Sequence, residues 1–572
     1  MRRTAHFGEA MSLTRLFAPV TAATALAMSG LFLTAVNAQA QVAPVDPGRL
    51  DERLRERRDL PPVSPVEAPL PPQQEAGPRT DLSVTLREVR FEGATSVPIG
   101  TLDAIAQPYL DREMPLSGVF QLAEAVTAEY RRRGFVLSRA VVSPQRIENG
   151  VLTVQVLEGY VAGVTIEGEA GGYRPFLERY AAPVTASRPT DGRVLSRALL
   201  LARDLKGLDV RSVITPSATL PGAADLSLVV ERRPVEAFFA IDNRGSRWLG
   251  PVQVYAGVTF NDGLGLGERI SATAVAAPKD YELGFVSAVY DQPLGGSGLR
   301  FNGFISYART QPGEELRALG LEGESTTAGF GLEYPFIRSR ELNLVGRTAF
   351  TVRNARSSND LVDPIFDDRL RTLTTELGGN YADPGGGLNS ARLTLVAGFS
   401  VFDGTVLADL DKSRATGSGV FIRLNFEMSR VQPLAGGVYI QAAVAGQWSS
   451  DSLLASEEFG LGGSSFGRAF DPSEITGDKG LAGKVELFRT ISLDGVSSIE
   501  PYVFYEAGYV RQLDPLPGES VRDNIAAAGV GVRIAANDNW AATLEYAQPF
   551  ERDISSRSDR DGRLFFSISA AF

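Results

Sequence analysis

Alternation of apolar and polar residues dominates the C-terminal part of the chain. From residue 235 onward, helical spacing disappears and alternating segments of roughly ten residues recur between turn signals. The pattern predicts a mainly β protein whose residues 234–572 form an antiparallel transmembrane β-barrel of about 16 strands, an even number as in single-chain bacterial barrels. The strands are expected near 235–243, 251–260, 268–276, 281–291, 298–308, 325–336, 341–353, 366–379, 389–402, 417–430, 434–448, 480–490, 499–510, 522–535, 537–547 and 563–572.

The connections between these strands differ in length, which orients the predicted barrel. Short turns are expected at the periplasmic end, at 338–340, 432–436 and 536–539. Longer connections are expected at the extracellular end, at 309–324, 354–365 and 549–562. The longest gap, residues 449–479, has little strand signal, and loops of that length inside a compact domain are usually functional.

The last predicted strand has one apolar face and one polar face. Its apolar face carries Leu564, Phe566, Ile568, Ala570 and Phe572. The opposite face is polar or small except at Phe565. A strand of this kind at the C-terminus closes outer-membrane barrels, so we expect it to pair with the first barrel strand near 235–243. We interpret Phe572 as the assembly signal.

Residues 81–233 contain one pattern twice, in the order β-α-α-β-β. The pattern predicts two small α+β domains, over 81–159 and 160–233. The first is expected to consist of a strand Val84–Phe91, helices near 99–107 and 118–133, and strands Val136–Val142 and Val151–Leu157. The second is expected to consist of a strand Val161–Glu167, helices near 173–181 and 191–206, and strands near 208–215 and 224–231.

Three segments precede these domains. Residues 1–40 have the basic start, apolar run and small-x-small site of a signal peptide. Within residues 41–60, a polar helix is expected over 46–60, with Asp46 as N-cap and no apolar face to bury. This helix is either solvated or a plug in a charged lumen. Residues 61–80 are rich in proline and predict an extended linker.

Composition excludes several classes of function. The chain has no cysteine, and its one histidine, His6, lies in the predicted signal peptide. This removes a thiol nucleophile, the common general base and most zinc ligands, so we expect no metal, cofactor or catalytic residue. Ser/Lys or paired-carboxylate catalysis stays open, although no spacing favours it. The net charge of −11 becomes about −13 without residues 1–40 and argues against nucleic acid as a partner.

A glycine-rich motif lies in the long gap at 449–479. It reads Gly462-Gly-Ser-Ser-Phe-Gly-Arg-Ala-Phe470, and the strand Tyr502–Gly508 follows further along the chain. The preceding run Gly460–Ser465 lacks the lysine of a phosphate-binding loop, so nucleotide binding is not expected. An arginine at a loop tip can be a solvated side chain or an anchor.

With this motif, nearly the whole chain resembles the two-partner secretion transporters of the outer membrane, the haemolysin secretion/activation family within the POTRA-barrel superfamily. Further matches lie at Tyr130–Phe135, Pro144-Gln145, Gly150–Val154 and Glu158-Gly159, which resemble the first POTRA domain of the family, and at Asp242–Ser246 with Gly250, which resembles the first barrel hairpin.

The resemblance also implies site residues. Gly467, Arg468 and Phe470 stand at the family's loop tip, with Arg468 in the place of the family arginine and Phe470 in that of the aromatic residue. Ala469 replaces the usual glycine, which puts the backbone conformation of the tip in doubt. The family arginine pairs with an acidic residue on a lumen-facing strand, and Glu506 stands where aspartate is usual. Arg468 and Glu506 are therefore expected to form a latch inside the lumen.

The implied function is transport rather than catalysis. The resemblance predicts a Gram-negative outer-membrane transporter that secretes, and in some relatives activates, one large partner protein. Its periplasmic POTRA domains would bind the unfolded client through strand edges and grooves. Outer-membrane lipid, lipopolysaccharide, periplasmic chaperones and the barrel assembly machinery are the other expected partners. The alternatives are a factor that inserts other barrels and a diffusion porin or adhesin.

Overall fold

The computed structural model describes residues 45–54, 83–220, 222–493, 496–537 and 539–572. The predicted signal peptide and the proline-rich linker lie outside the described residues. Of the predicted polar helix, the structure describes α1 (Pro47–Leu54). Within the described residues, every helix is too short or too polar to cross a lipid bilayer.

The first α+β domain follows, and its elements are β1 (Ser83–Thr85), β2 (Glu88–Glu92), α2 (Ile99–Ala106), β3 (Glu113–Pro115), α3 (Ser117–Arg132), β4 (Arg139–Val141) and β5 (Val151–Leu157). Strand β5 lies between β2, which is parallel to it, and β4, and helices α2 and α3 pack on this sheet. The predicted strand Val84–Phe91 is wrong in one respect. It is divided into β1 and β2 at Leu86, whose side chain turns fully into the core.

The predicted strand Val136–Val142 is too long, because only β4 (Arg139–Val141) is extended. Val136 and Leu137 belong instead to a turn that packs against the second domain, and Leu137 is buried in that domain's core. The glycine between the two domains is tightly enclosed. A Cβ on Gly159 would stand 2.2 Å from the carbonyl oxygen of Leu137. The two α+β domains are therefore packed against each other rather than joined by a free linker.

The second α+β domain comprises β6 (Tyr160–Glu167), α4 (Arg174–Ala186), α5 (Gly192–Arg203), β7 (Leu208–Pro216) and β8 (Ala223–Arg232). Its sheet has the order β6-β8-β7, with β6 parallel to β8. The side chain of Asp191 accepts a hydrogen bond from the backbone amide of Arg193 and caps α5. Leu195, Leu199 and Ala202 recur along one face of α5 and are buried in the core of the domain.

Glu158 ties the end of β5 to the loop before α2. Its carboxylate accepts hydrogen bonds from the backbone amides and hydroxyls of Thr95 and Ser96 and from the hydroxyl of Tyr130, at 2.8 Å. Burial raises the pKa of Glu158, but these donors favour the ionised form, and the net pKa lies below its ordinary value. The hydrogen bonds to Glu158 therefore stabilise the first domain as long as the carboxyl is ionised.

Replacing Glu158 with alanine is expected to destabilise the first domain by about 3 kcal/mol, because charged hydrogen bonds contribute about 1.5–3 kcal/mol each and the buried Tyr130 hydroxyl loses its acceptor. Urea-dependent proteolysis of residues 83–159 in the intact protein measures this loss of stability.

The stabilisation by Glu158 is present above the carboxyl's unfolded pKa of about 4.3 and is lost as pH falls through the lower pKa of the folded state. Glu124→Ala, an exposed member of an ion pair on α3, should change stability by less than about 0.5 kcal/mol. Equal effects of the two substitutions would contradict the role of Glu158.

The barrel is closed and antiparallel and contains sixteen full strands, which confirms the predicted fold class. The first eleven are β9 (Val235–Asp242), β10 (Gln253–Asn261), β11 (Arg269–Ala276), β12 (Leu283–Leu294), β13 (Leu299–Thr310), β14 (Glu322–Arg338), β15 (Leu342–Ser358), β16 (Phe366–Ala382), β17 (Leu388–Gly398), β18 (Ile422–Pro433) and β19 (Val438–Ser449). The other five are β22 (Lys479–Arg489), β24 (Val496–Arg511), β25 (Arg522–Ala535), β26 (Trp540–Phe550) and β27 (Arg563–Ala571). Three short strands lie between them: β20 (Phe459–Leu461) and β21 (Ile475–Gly477) form a hairpin before β22, and β23 (Ile491–Leu493) precedes β24.

The closing seam joins the last strand to the first, as predicted. Residues Ser567–Ala571 pair with Phe238–Asp242, and Phe572 exchanges two backbone hydrogen bonds with Ala237. Phe565, the apolar residue on the otherwise polar face, is buried in the lumen between the guanidinium groups of Arg244 and Arg563. Its position inside the barrel explains why the alternation is interrupted there.

The two predicted strand ends on either side of one connection are wrong. The pattern extended one strand to 402 and began the next at 417, whereas β17 ends at Gly398 and β18 begins at Ile422. Residues 399–421 form a long connection instead. The connection cannot continue as a strand through Phe402 and Asp403, because both residues take positive φ angles, of 50° and 61°. Extended strands exclude this conformation.

The second α+β domain contacts the short-turn end of the barrel. Arg338, nearly fully buried, forms two hydrogen bonds of 2.8 Å with the carboxylate of Asp204. Arg232 pairs with Asp262 at 2.9 Å. Arg197 donates a hydrogen bond of 2.9 Å to the carbonyl oxygen of Pro335. The turn at 338–340 therefore lies on the side of the α+β domains, and the long connections lie at the other end.

Candidate functional site in the barrel lumen

The long loop 449–479 folds back into the barrel. Little of this loop is strand, as the pattern indicates, and the short hairpin of β20 and β21 is its extended part. At its tip Gly467 has a φ of +83°, and a Cβ there would stand 2.5 Å from Cδ1 of Ile525. Glycine is therefore required at this position by both conformation and space. Ala469 is fully buried, and its backbone does not take a positive φ angle. Alanine therefore fits in place of the family's glycine.

Arg468 lies buried at the loop tip, among three carboxylates of the barrel wall. Its Nε stands 3.3 Å from Glu506, and its Nη1 stands 3.0 Å from Glu486 and 3.1 Å from Glu545. The backbone amide of Arg468 also donates a hydrogen bond to Glu506. The structure thus brings the two residues of the predicted latch together, and it adds two carboxylates from strands β22 and β26.

Aromatic rings complete the surroundings of the loop tip. The guanidinium carbon of Arg468 lies 3.5 Å from the centre of the Phe504 ring, a cation–π contact. The hydroxyl of Tyr502 donates a hydrogen bond of 2.7 Å to Glu545. Phe470 is fully buried in an apolar cluster with Ile525 and other loop and wall residues. Phe470 therefore contributes apolar packing, and Arg468 contributes charge.

Sequence reasoning missed Glu486 and Glu545. Both point into the lumen from strands whose neighbouring residues, such as Leu487 and Leu544, are exposed on the lipid face. Alternation alone would have placed these carboxylates on the lumen side. Glu486 and Glu545 each have a second arginine partner besides Arg468. Arg533 pairs with Glu486 at 2.6 Å, and Arg244 pairs with Glu545 at 3.0 Å. Arg468 is thus one cation in a wider lumenal network.

A second anchor holds the base of the loop. The carboxylate of Asp478 accepts hydrogen bonds from the backbone amides of Leu453 and Leu513, at 2.7 and 2.6 Å. Arg414, from the connection between β17 and β18, contacts the same carboxylate at 2.6 Å. Asp478 is fully buried. The base of the loop is therefore fixed by extracellular connections, whereas its tip is fixed by the wall.

Helix α1 also lies inside the barrel, which decides between the two interpretations of the polar helix. Asp46 accepts hydrogen bonds from the amides of Gly48 and Arg49, at 2.8 and 3.0 Å, and caps the helix. The expectation of no apolar face is wrong, because Leu50 is buried in an apolar cluster with Trp248, from the connection between β9 and β10, and with residues of the wall. Asp51 is fully buried and accepts hydrogen bonds from the hydroxyls of Ser306 and Thr327 on the wall.

Helix α1 and the loop share a junction. The guanidinium of Arg49 donates to the carbonyl oxygens of Ala455 and Glu458 in the loop, at 2.6 and 3.2 Å. Arg353 and Arg423, on the wall, each contact Glu457 of the loop, at 2.9 and 3.0 Å. Both also reach Glu52 of the helix, at 3.6 and 3.4 Å. The helix and the loop are therefore held to the wall by the same two arginines.

Within the described residues, no group of three histidine, cysteine, aspartate or glutamate side chains could hold a metal ion. The carboxylates near Arg468 are paired with arginines and arranged to hold a loop. This arrangement can hold the loop tip against the wall by several ion pairs.

Comparisons with known proteins agree on one group. Residues 222–534 match the family model described as haemolysin secretion/activation protein ShlB/FhaC/HecB, and residues 84–159 match that of the ShlB-type POTRA domain. The chain is 22% identical to the heme/hemopexin transporter protein HuxB of Haemophilus influenzae (strain 86-028NP), over 89% of this chain and 92% of the relative. It is 24% identical to the outer membrane transporter CdiB of Escherichia coli, over 84% and 82%.

A solved structure has the same fold. CdiB from Escherichia coli superposes with a TM-score of 0.68 at 19% sequence identity, covering 94% of this chain and 97% of that one. At this identity the likeness shows the fold and not the client.

Proposed function

The chain belongs to the haemolysin secretion/activation protein family ShlB/FhaC/HecB, whose model matches more than half of it, and on that premise we propose how it moves its partner across the outer membrane. It is a two-partner secretion transporter, a β-barrel of the outer membrane with its POTRA domains in the periplasm, and it is not an enzyme. Its cargo is a secreted partner protein.

The periplasmic domains are proposed to capture the partner as an unfolded chain. Each sheet leaves two edge strands, β2 and β4 in the first domain and β6 and β7 in the second. An exposed edge can add a strand of the client by backbone hydrogen bonds. The contact between Arg338 and Asp204 would hold the second domain, and with it the captured segment, at the entrance of the barrel.

The lumen is proposed to be closed at rest and open during export. The observation that carries this proposal is that α1 and loop 449–479 both lie inside the barrel, where Arg353 and Arg423 contact Glu52 of the helix and Glu457 of the loop. An extended chain needs the space that these two segments occupy. We propose that Arg468, Gly467 and Phe470, with Glu506, act as a latch that holds the loop tip in the resting state.

The net free energy of export is proposed to come from the client itself. The partner enters as an unfolded chain and folds outside, so return through the lumen is unfavourable. Lipid and lipopolysaccharide surround the barrel. Periplasmic chaperones and the barrel assembly machinery are proposed to insert it, with Phe572 as the signal.

Comparison of culture supernatants from strains with and without this protein tests the function. We expect one large secreted protein to be missing when the transporter is absent, and that protein to be the client. General loss of outer-membrane barrels would favour an assembly factor instead. A change limited to small-solute permeability would favour a diffusion porin.

A further inference from the structure

The first part of the connection after β17, residues 399–405, runs along the outer side of β16, whereas its later residues reach the base of the lumenal loop. The amides of Phe399 and Thr405 donate hydrogen bonds of 2.9 and 2.8 Å to the carbonyl oxygens of Arg371 and Arg369 on β16. Along β16 the lipid side carries Leu373, which is 41% exposed, and next Arg371, which is only 5% exposed. The side chain of Arg371 donates to the carbonyl oxygen of Phe402. The connection therefore covers an arginine that would otherwise face outward.

The residues that cover Arg371 are apolar and exposed. The lipid-facing stripe of β17, which includes Leu395, continues beyond the end of the strand in Phe399 and Val401. Phe402 is 75% exposed, and its ring packs edge-on against Phe350 at 6.4 Å between ring centres. Phe350 belongs to the lipid-facing side of β15, where it packs against Phe330. The apolar surface of the connection is thus continuous with the lipid-facing surface of the barrel.

The backbone conformation is strained at Phe402 and Asp403. Phe402 and Asp403 follow each other with positive φ angles, a conformation that L-residues other than glycine rarely adopt. Such strain persists only where the surrounding structure imposes it. Here Asp403 pairs with Arg369, and the carbonyl of Phe402 is held by Arg371. The arrangement directs an aromatic ring outward at the level where the wall changes from apolar Leu373 to charged Arg369.

We propose that residues 399–405 form a membrane-inserted foot, whose side chains Phe399, Val401 and Phe402 lie among the acyl chains of the outer leaflet. The order of side chains along β16, apolar and then charged, matches the order of acyl chains and headgroups in a leaflet. The foot extends the lipid-facing surface of the barrel on one side. This proposal is independent of the client and of the latch.

Site-specific labelling tests the foot, because the protein has no cysteine. The full-length variant Phe402→Cys is labelled with bimane and reconstituted into phosphatidylcholine vesicles whose acyl chains carry bromine. Leu395→Cys, on the lipid-facing belt, is the positive control, and Asp553→Cys, exposed on the connection between β26 and β27, is the negative control. We expect the acyl bromine to quench the label at 402 to an extent within about twofold of that at 395.

Quenching at 402 no stronger than at 553, with quenching by aqueous iodide instead, would overturn the proposal. That result would leave this surface facing water and open to a protein partner. Heat-modifiable migration in gels verifies that each variant barrel is folded. If Phe402→Cys does not fold, Val401→Cys gives the same readout from the neighbouring position, with the same two outcomes.

Discussion

Replacing Arg468 with alanine is expected to abolish export of the partner protein while the barrel remains folded. Glu486 and Glu545 keep Arg533 and Arg244 as partners, so the loss falls mainly on Glu506, which is 1% exposed. Leaving a buried charge without its partner costs about 3–5 kcal/mol. The loop tip should therefore leave its site on the wall while Asp478 and Arg414 still anchor the base of the loop. The released tip would then stay in the lumen and obstruct the path that the client needs. The measurement is the amount of partner protein in the culture medium, with the transporter quantified in the outer membrane.

Two further substitutions separate the latch from the network around it. Arg533→Ala removes a cation that also contacts Glu486 but comes from the wall, and we expect export to be largely retained. Arg468→Lys keeps the charge but loses the planar guanidinium that reaches several carboxylates at once, so we expect intermediate export. Full export by Arg468→Ala would remove the latch from the mechanism.

Replacing Arg353 with alanine is expected to open the resting channel. Arg353 contacts Asp51 and Glu52 of helix α1 and Glu457 of the loop, and its side chain is 6% exposed. Without it, three carboxylates face each other with less positive charge between them. The helix and the loop should leave the lumen more often. The mean conductance per inserted channel in planar bilayers should rise several-fold, because the open fraction increases and each 1.4 kcal/mol changes the equilibrium about tenfold.

Arg347→Ala is the matched control for Arg353→Ala. Arg347 lies on the same strand and the same lumen face but pairs with Glu333 and Glu376 of the wall, at 2.8 and 2.5 Å. We expect its removal to change local stability without a comparable rise in conductance. Equal conductance changes in the two variants would show that lumenal charge, rather than the seating of α1, controls the resting state.

The strands of the barrel could be predicted because the membrane imposes a strict requirement on them. Every second residue must be apolar where it faces lipid, and the alternation in segments such as Leu393 and Leu395 records this directly. The same rule misplaced the end of β17. Phe399 and Val401 continue the alternation although the ladder ends at Gly398, and a local pattern of side chains does not show where the hydrogen bonds between strands end.

The candidate site could be predicted only in part. The resemblance predicts Arg468 and Glu506. It does not predict Glu486 and Glu545, which lie on other strands. Their height in the lumen is fixed by the strand register, in which Lys484 is opposite Glu506 and Glu545 is opposite Gly531. The sequence shows which face a residue occupies. It does not show which residues of separate strands lie at one level.

Helix α1 illustrates the opposite limit. Its sequence is polar on nearly every side, which for a helix in water predicts weak structure. In the lumen the same polar side chains find arginines, hydroxyls and carbonyl groups of the wall, and Leu50 finds a small apolar patch. Whether a polar helix is buried therefore depends on the polarity of its surroundings, and the sequence of the helix does not reveal that polarity.

A disulfide between α1 and the wall tests the central claim, that the resting occupants of the lumen must leave for export. A Cβ on Gly48 would stand 3.3 Å from the Cβ of Ala355, close to the roughly 3.5–4.5 Å that a disulfide spans. The double variant Gly48→Cys, Ala355→Cys should stop exporting the partner when oxidised and resume when reduced, while each single variant exports in both states. Export at the normal rate by the oxidised double variant would contradict the account.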